Sequence, residues 1–162
     1  MTVVSNTTPL SELAKVGKLE LVQAVFGKII IPQEVYDELT TGSHPAANLV
    51  PSADWIEVRV IQDRQRLLTL QEQTGLDLGE SAAIILAEEL SAVRLLIDER
   101  AGRQIAQSRN IPVVGTMGLL LLAKQLKLIP SIKDVLDELR NQGQYISQKL
   151  YEDVLAIAQE LF

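Results

Sequence analysis

The chain has 162 residues, of which 47% are hydrophobic and only 4% aromatic, and its formal net charge is -6. This length suits one domain, residues 1-162, with a core built from aliphatic side chains. The acidic balance argues against a generic basic surface for nucleic acid, although a local basic groove or a charge-neutralising metal remains compatible with it.

The lack of cysteine excludes disulfides, zinc–thiolate sites and cysteine nucleophiles. The single histidine, His44, lies in a Gly-Ser-His-Pro stretch that predicts a surface loop. Any acid–base or metal chemistry must therefore come from Asp and Glu. No signal peptide is apparent at the start, and the longest apolar stretch, residues 117–123, is too short to span a bilayer. We therefore expect a cytoplasmic protein with no membrane partner.

Strand and helix signals alternate along the chain. Apolar runs and alternating patterns predict strands at residues 3–5, 28–31, 55–61 (at a sheet edge), 93–97 and 112–114. Helical patterns begin near Thr8, as N-cap, with Pro9 at the first helical position, and continue at residues 19–26, 33–40, 64–73, 80–90, 101–109, 117–126, 132–140 and 148–161. Residues 42–51 read as a loop, with a helical turn as the alternative, and residues 75–79 read as a connector. The alternation predicts an α/β sandwich with a mostly parallel sheet, followed by C-terminal helices from about residue 130.

Two apolar runs end in chemically related side chains. The first strand runs into Asn6, and residues 95–97 run into Asp98. Ligands of open parallel sheets bind outside the carboxyl ends of the strands, so these side chains would lie side by side if their strands are neighbours. Each also has a structural explanation: Asp98 is equally suited to be the N-cap of the helix that follows it, and Asn6 is well suited to be a turn or cap residue without any function.

Glu80 is the sharpest acidic candidate. Helical periodicity puts it on one stripe with Ala83, Ile84 and Ala87, facing inward. A carboxylate in that position is costly unless something pairs with it. The alternative is a capping box, with Asp77 as N-cap and Glu80 at the third helical position.

Two further polar residues have simpler explanations. Glu38 borders the apolar stripe of Val35 and Leu39, where a solvated charge is the expected state. Thr116 follows a third buried strand and suits an N-cap, although a hydroxyl at that sheet edge can also orient a water or a phosphate.

Five segments resemble the PIN-domain superfamily, in the right order and over nearly the whole chain: residues 3–10, 31–39, 76–83, 96–103 and 113–120. They are most similar to prokaryotic PIN-like predicted nucleic-acid-binding proteins, which are related to toxin–antitoxin ribonucleases. The resemblance implies a three-layer α/β/α fold with a central, mostly parallel sheet. It also implies an acidic cluster that binds Mg²⁺ or Mn²⁺ and cleaves RNA.

By position, the resemblance assigns catalytic and metal-binding roles to Glu38, Glu80, Asp98 and Asn6. Asn6 occupies a position that is Asp in typical PIN nucleases, so one carboxylate is missing. Hard divalent cations prefer the oxygen ligands that this composition offers. Arg103 and Arg100 follow Asp98 and would meet phosphate or balance the carboxylates, with ordinary surface ion pairs as the alternative.

Three functional hypotheses remain at this point. The first is a metal-dependent ribonuclease acting on RNA, with a cognate antitoxin protein that blocks its site. The second is a degenerate PIN-like fold that binds nucleic acid or a protein without catalysis, which Asn6 and the net charge favour. The third is a phosphoacceptor receiver domain using Asp98, Thr116 and Lys124, although the acidic pair expected after its first strand is missing.

Four consecutive leucines, residues 119–122, cover all sides of their predicted helix. Such a helix is either fully buried within one chain or part of an interface. We expect a homodimer, with complete burial in the monomer as the alternative.

Overall fold

The computed structural model describes residues 1–161, which form five strands and ten helices. The strands are β1 (Val3–Ser5), β2 (Ile29–Pro32), β3 (Ile56–Arg59), β4 (Arg94–Leu96) and β5 (Val113–Val114). The helices are α1 (Thr7–Lys15), α2 (Glu20–Phe26), α3 (Gln33–Thr40), α4 (Pro45–Leu49), α5 (Arg64–Thr74), α6 (Leu78–Glu89), α7 (Arg100–Ser108), α8 (Thr116–Gln125), α9 (Ile132–Asn141) and α10 (Gln148–Ile157).

The strands form one parallel sheet in the order β3-β2-β1-β4-β5. The chain first winds outward from β1 through β2 to β3, then returns to the other side of β1 for β4 and β5. The strand order therefore reverses between β1 and β4, which is the topological switch point of the sheet. The predicted parallel α/β fold is confirmed, and β3 lies at an edge as predicted.

Side chains on the two faces of the sheet belong to two separate cores. Val3 and Leu96 pack in the larger core, which also contains buried residues of α1, α2, α3, α8, α9 and α10. Val4 and Leu95 point the other way, into a core shared with α5 and α6. This alternation follows from the two-residue period of a strand. The sheet thus lies between two helical layers, which confirms the three-layer α/β/α architecture.

Several predicted boundaries are wrong by a few residues. The N-cap of α1 is Asn6 and not Thr8, so Pro9 is the third residue of the helix and not the first. Proline is tolerated throughout a first helical turn, because the N–H groups there have no partner in the helix. Thr116 is the first residue of α8, and Gly115 occupies its N-cap. Residue 162, at the end of the predicted single domain, lies outside the described residues.

The apolar helix α8 buries half of its leucine run completely. Leu119 and Leu120 are inaccessible to solvent, whereas Leu121 and Leu122 are half-buried. The homodimer stays a prediction, although the monomer already covers much of the surface on which that prediction rested. Across residues 1–161, we find no helix with the length and apolar character needed to cross a membrane.

Candidate functional site at the switch point

Asn6 and Asp98 follow the two strands that flank the switch point. Ser5 is in register with Leu96, and the Asn6 N–H donates to the Leu96 carbonyl at 2.8 Å. The two strands are therefore neighbours, which is the condition under which Asn6 and Asp98 were expected to lie at the same edge. Asn6 is only 3% exposed, and its side chain makes no capping hydrogen bond to α1 although it occupies the N-cap. A buried amide thus lies at the point where parallel sheets bind ligands.

Asp98 caps a different helix from the predicted one. The N-cap of α7 is Glu99, whereas Asp98 accepts two hydrogen bonds from Thr116 at the start of α8. The Thr116 N–H lies 2.6 Å from Oδ1, and its hydroxyl lies 2.7 Å from Oδ2. A helix N-terminus favours a nearby carboxylate, and α8 presents its N-terminus to the end of β4. Thr116 is therefore the partner of Asp98 rather than a cap in its own right.

Arg103 lies next to this pair. Its Nη1 donates to the Ile97 carbonyl at 3.2 Å. A Cβ placed on Gly115 would lie 2.6 Å from that Nη1 and 2.9 Å from Asp98 Oδ1. Any other residue at position 115 would therefore displace the Arg103 guanidinium or the Asp98 carboxylate.

Glu80 has an acidic environment. It is 9% exposed, as its inward-facing stripe predicted. Burial raises the pKa of its carboxyl most, and the carboxylates of Asp77, Glu99 and Glu38 raise it further, to about 7. Every charged group that shifts this pKa is therefore another carboxylate. Near neutral pH the Glu80 carboxyl is only partly ionised, because its charge is unfavourable in this environment.

The capping interpretation of Asp77 is also correct. Its side chain accepts a hydrogen bond of 2.8 Å from the Glu80 N–H and so caps α6. Capping and a role in the site are compatible, since the same carboxylate faces both the helix terminus and Glu80. We refer to Glu38, Asp77, Glu80 and Glu99 as the acidic cluster.

Glu38 is exposed, as predicted, but its carboxyl is not fully solvated. The carboxyl lies over Gly79 at the start of α6. Partial burial raises its pKa, the Thr7 hydroxyl lowers it, and Asp77 raises it again. The Thr7 hydroxyl oxygen is buried and makes no hydrogen bond of ordinary geometry within residues 1–161. Glu38 and Thr7 therefore line the same open side of the cluster.

The structure thus divides the predicted site residues into two neighbouring groups. Glu38 and Glu80 interact within the acidic cluster, and Asp98 interacts with Thr116 beside Arg103. The sequence-based interpretation missed Glu99, although it follows Asp98 directly at the strand end. That position after a buried strand was the available signal.

The donor chemistry of the site suits a hard divalent cation. Its donors are carboxylate and amide oxygens, and a cation would offset the repulsion that raises the pKa of Glu80. In the part of the chain that the structure describes, no three His, Cys, Asp or Glu side chains are close enough together to form a metal site by themselves. The donor atoms are therefore of the type that Mg²⁺ and Mn²⁺ prefer, but the described residues supply too few of them in one place to surround the ion without water ligands.

Comparison with known protein families gives the decisive match. A family profile described as a PIN domain matches residues 2–160. The chain belongs to the PIN-domain family. The comparisons found no match among curated proteins and none among solved structures.

Membership of this PIN-domain family means that the chain has a nuclease-type fold. The receiver-domain alternative is wrong. Its basic residue, Lys124, donates to Glu160 and to the Pro130 carbonyl and so takes no part in the Asp98 site.

Proposed function

We propose that this PIN domain is a metal-dependent ribonuclease that hydrolyses RNA phosphodiesters at the switch point. The observation that carries the proposal is the environment of Glu80, a buried carboxyl surrounded by other carboxylates. Such a cluster costs folding free energy when it stands alone, so it is best explained by a ligand that neutralises it. A divalent cation bound at a sheet edge meets that need, and it also attracts a phosphodiester.

The residues that would hold Mg²⁺ or Mn²⁺ are Glu80, Glu38, Asp98 and the neutral amide of Asn6. Because no three of the acidic side chains among residues 1–161 are close enough together to ligate one ion directly, part of this set would act through metal-bound waters. When bound, the ion supplies a hydroxide-like nucleophile and stabilises negative charge on the phosphate. Thr116 fixes the orientation of Asp98 through both carboxylate oxygens. The Arg103 guanidinium beside them is positioned to balance the charge of an incoming phosphate.

The decisive experiment is RNA cleavage with Mn²⁺ or Mg²⁺ by the wild type and by Glu80→Gln. This substitution keeps the side-chain shape and removes one metal-binding charge, so we expect cleavage to fall at least about 10-fold. Glu72→Gln, an exposed residue of α5, is the matched control and should cleave like the wild type. Asn6→Asp restores the missing carboxylate and should increase cleavage at limiting Mn²⁺.

Two results would refute the nuclease proposal as stated. One is that neither the wild type nor Asn6→Asp cleaves any RNA under these conditions. The other is that Asp98→Asn cleaves as well as the wild type, which would place the site elsewhere. Because Asp98 also caps α8, circular dichroism of Asp98→Asn must accompany the assay.

A second candidate function is RNA or protein binding without catalysis. Asn6 favours it, because an amide contributes no negative charge to a metal site. The hydrogen bonds from Thr116 to both oxygens of Asp98 favour it as well, since they compete with metal coordination. RNA binding by a wild type that never cleaves, with or without Mn²⁺, would support this candidate.

The regulatory partner that we propose is a cognate antitoxin protein that covers the site. A small open reading frame directly upstream that encodes a DNA-binding protein would identify a candidate. Co-expression should then give a stable complex and suppress RNA cleavage. A neighbouring protein that neither binds nor inhibits would argue against the toxin–antitoxin role while leaving the ribonuclease proposal unaffected.

A further inference from the structure

A cavity of about 460 Å³ opens beside Asp98, at the end of the sheet formed by the edge strand β5. The cavity is lined by the start of α8 and by Gln144 and Tyr145, which lie in the loop between α9 and α10. Its volume lies in the range of small-ligand sites, about 300–1,000 Å³. We infer that it binds one unpaired nucleotide of the RNA substrate, with the base against Tyr145 and a phosphate toward Arg103. The inference rests on the proposed function, because it names the residues that would hold the substrate of that site.

Tyr145 supplies an unused stacking surface. It is 86% exposed, and among the aromatic side chains in residues 1–161 it alone is exposed. An exposed tyrosine ring offers a large apolar face at low entropic cost, and bases of single-stranded RNA stack on such rings. Met117 and Leu150 also line the cavity and extend its apolar surface.

Gln144 supplies a polar group that lacks a partner. Its side-chain oxygen is buried and has no hydrogen-bond partner within the described residues. A buried acceptor without a partner costs free energy. The amide carries both donor and acceptor groups, which is the complement of the edge of a nucleobase. Rotation of this side chain toward a bound base would satisfy the oxygen.

Arg103 supplies the charge that a phosphate requires. In the described residues it makes no ion pair, and its guanidinium donates to the Ile97 carbonyl. It lines the cavity together with Asp98, so a phosphate that meets Arg103 also lies next to the proposed catalytic carboxylate.

These features select single-stranded RNA over a duplex. A base can stack on Tyr145 and pair with Gln144 only when its face and its Watson–Crick edge are both free. In a duplex both are occupied, so a paired strand would contact Arg103 alone. The cavity is therefore a site for an unpaired nucleotide next to the bond that is cut.

The test is binding of a fluorescent phosphorothioate RNA of about 12 unstructured nucleotides, which resists cleavage, to the full chain in Mg²⁺. Tyr145→Ala should weaken binding about 5- to 100-fold, the range that base–aromatic stacking gives on alanine substitution. Tyr145→Phe keeps the ring and should bind within about 2-fold of the wild type. Leu68→Ala, which truncates a 54% exposed side chain on α5, is the matched control and should not change binding.

A duplex of the same RNA with its complementary strand is measured in parallel and should bind more weakly. Three outcomes would overturn the inference: no measurable RNA binding, equal binding by Tyr145→Ala and the wild type, or equal binding of the duplex and the single strand. If RNA binds with the same affinity to Tyr145→Ala and to the wild type, the cavity would be assigned to another occupant, such as a protein segment.

The same proteins separate this inference from the proposed function. Tyr145-dependent binding without any cleavage of ordinary RNA in Mn²⁺ would refute the ribonuclease and leave the nucleotide site standing. Unchanged cleavage and unchanged binding after Tyr145→Ala would refute the nucleotide site and leave the ribonuclease standing.

Discussion

Three glycines lie directly beside the charged side chains of the site. Gly79 faces Glu38, Gly102 faces Glu80, and Gly115 faces Asp98 and Arg103. A Cβ on Gly102 would lie 2.8 Å from Ile97 Cδ1 and 3.1 Å from Glu80 Oε2. The absence of a Cβ at these three glycines therefore provides the space that the charged side chains of the site occupy.

Gly102→Ala and Gly79→Ala should have opposite effects on stability. Alanine normally stabilises a helix by about 1 kcal/mol relative to glycine. At residue 102 the new methyl meets the buried Ile97, so we expect a net loss of about 1–3 kcal/mol. At residue 79 it meets only the end of the exposed Glu38 side chain, which can rotate away. Gly79→Ala should therefore raise the free energy of unfolding, whereas Gly102→Ala should lower it. Urea denaturation measures both values, and a change of the same sign in the two variants would contradict the prediction.

Glu80→Gln should change how stability depends on pH. The folded protein holds a proton on Glu80 up to about pH 7, whereas an unfolded glutamate loses it near its ordinary pKa of 4.5. Stability therefore falls as the pH rises from about 4.5 to about 7. Glutamine removes this fall, so at pH 8 in a chelator the variant should be about 1–2 kcal/mol more stable than the wild type.

Urea titrations at pH 5 and pH 8 measure that difference. Glu72→Gln, remote and exposed on α5, should follow the wild type at both values. A Glu80→Gln protein that is less stable than the wild type at pH 8 would show that the acidic cluster is not repulsive.

The inward position of Glu80 was predictable from the sequence, because helical periodicity depends only on local spacing. The partner of Asp98 was not, since a strand-end carboxylate is as well placed to cap its own helix as a neighbouring one. Only the packing of α8 against the end of β4 selects Thr116, which lies 18 residues further along the chain. Gln144 and Tyr145 were missed because nothing local relates their loop to β5.

At the scale of whole elements, the C-terminal segment holds α9 in place through one carboxylate. Glu160 accepts hydrogen bonds from the Ile132 and Lys133 N–H groups and from the hydroxyl of Ser131, the N-cap of α9. It also pairs with the Lys124 ammonium of α8 at 2.8 Å. One side chain thus connects the end of the chain to two helices.

Glu160→Gln should destabilise the protein by about 1–2 kcal/mol at pH 7, similar to the loss of a strong N-cap. Burial opposes the charge of Glu160, but Lys124 and the N–H groups of Ile132 and Lys133 outweigh it and lower the pKa to about 2. The stabilisation is therefore present above the ordinary glutamate pKa of 4.5 and disappears as the pH falls toward about 2.

Denaturation at pH 7 and pH 3 measures this loss. The difference between Glu160→Gln and the wild type should be smaller at pH 3. Glu152→Gln, on the exposed side of α10, is the control and should cost little at either pH. An effect of Glu160→Gln that is independent of pH would contradict the role of its charge.

At the scale of the whole molecule, the strand order explains why the candidate residues converge. Parallel strands bring their carboxyl ends to one edge, and the reversal between β1 and β4 opens that edge. The alternating apolar patterns were sufficient to predict this class of sheet. They were not sufficient to give its strand order, which depends on the packing of both helical layers.

Binding of Mn²⁺ should stabilise the folded protein, because the acidic cluster is repulsive only without a cation. At about 100 times its dissociation constant, a ligand specific for the folded state adds about 2.7 kcal/mol, or roughly 5–10 °C in melting temperature for a chain of this size. Glu80→Gln should show a much smaller rise, and Glu72→Gln the full one. Equal rises in all three proteins would indicate weak, nonspecific binding.

The predicted homodimer can be tested directly. Leu126 and Leu128, just beyond α8, are exposed and provide apolar surface for an interface. Light scattering at micromolar concentration should give twice the mass of one chain if the prediction is correct. A monomer would mean that the burial of Leu119 and Leu120 within one chain already accounts for the leucine-rich helix.

The contact between Gly102 and Glu80 also constrains how related sequences can vary. The space beside the α7 backbone is shared between the side chain of residue 102 and the carboxyl of residue 80. A relative with alanine at residue 102 should therefore carry a smaller side chain at residue 97 and the shorter aspartate at residue 80, while a relative that keeps isoleucine and glutamate there should keep glycine. Covariation between residues 80 and 102 in related sequences would show that those proteins keep the same contact in the site.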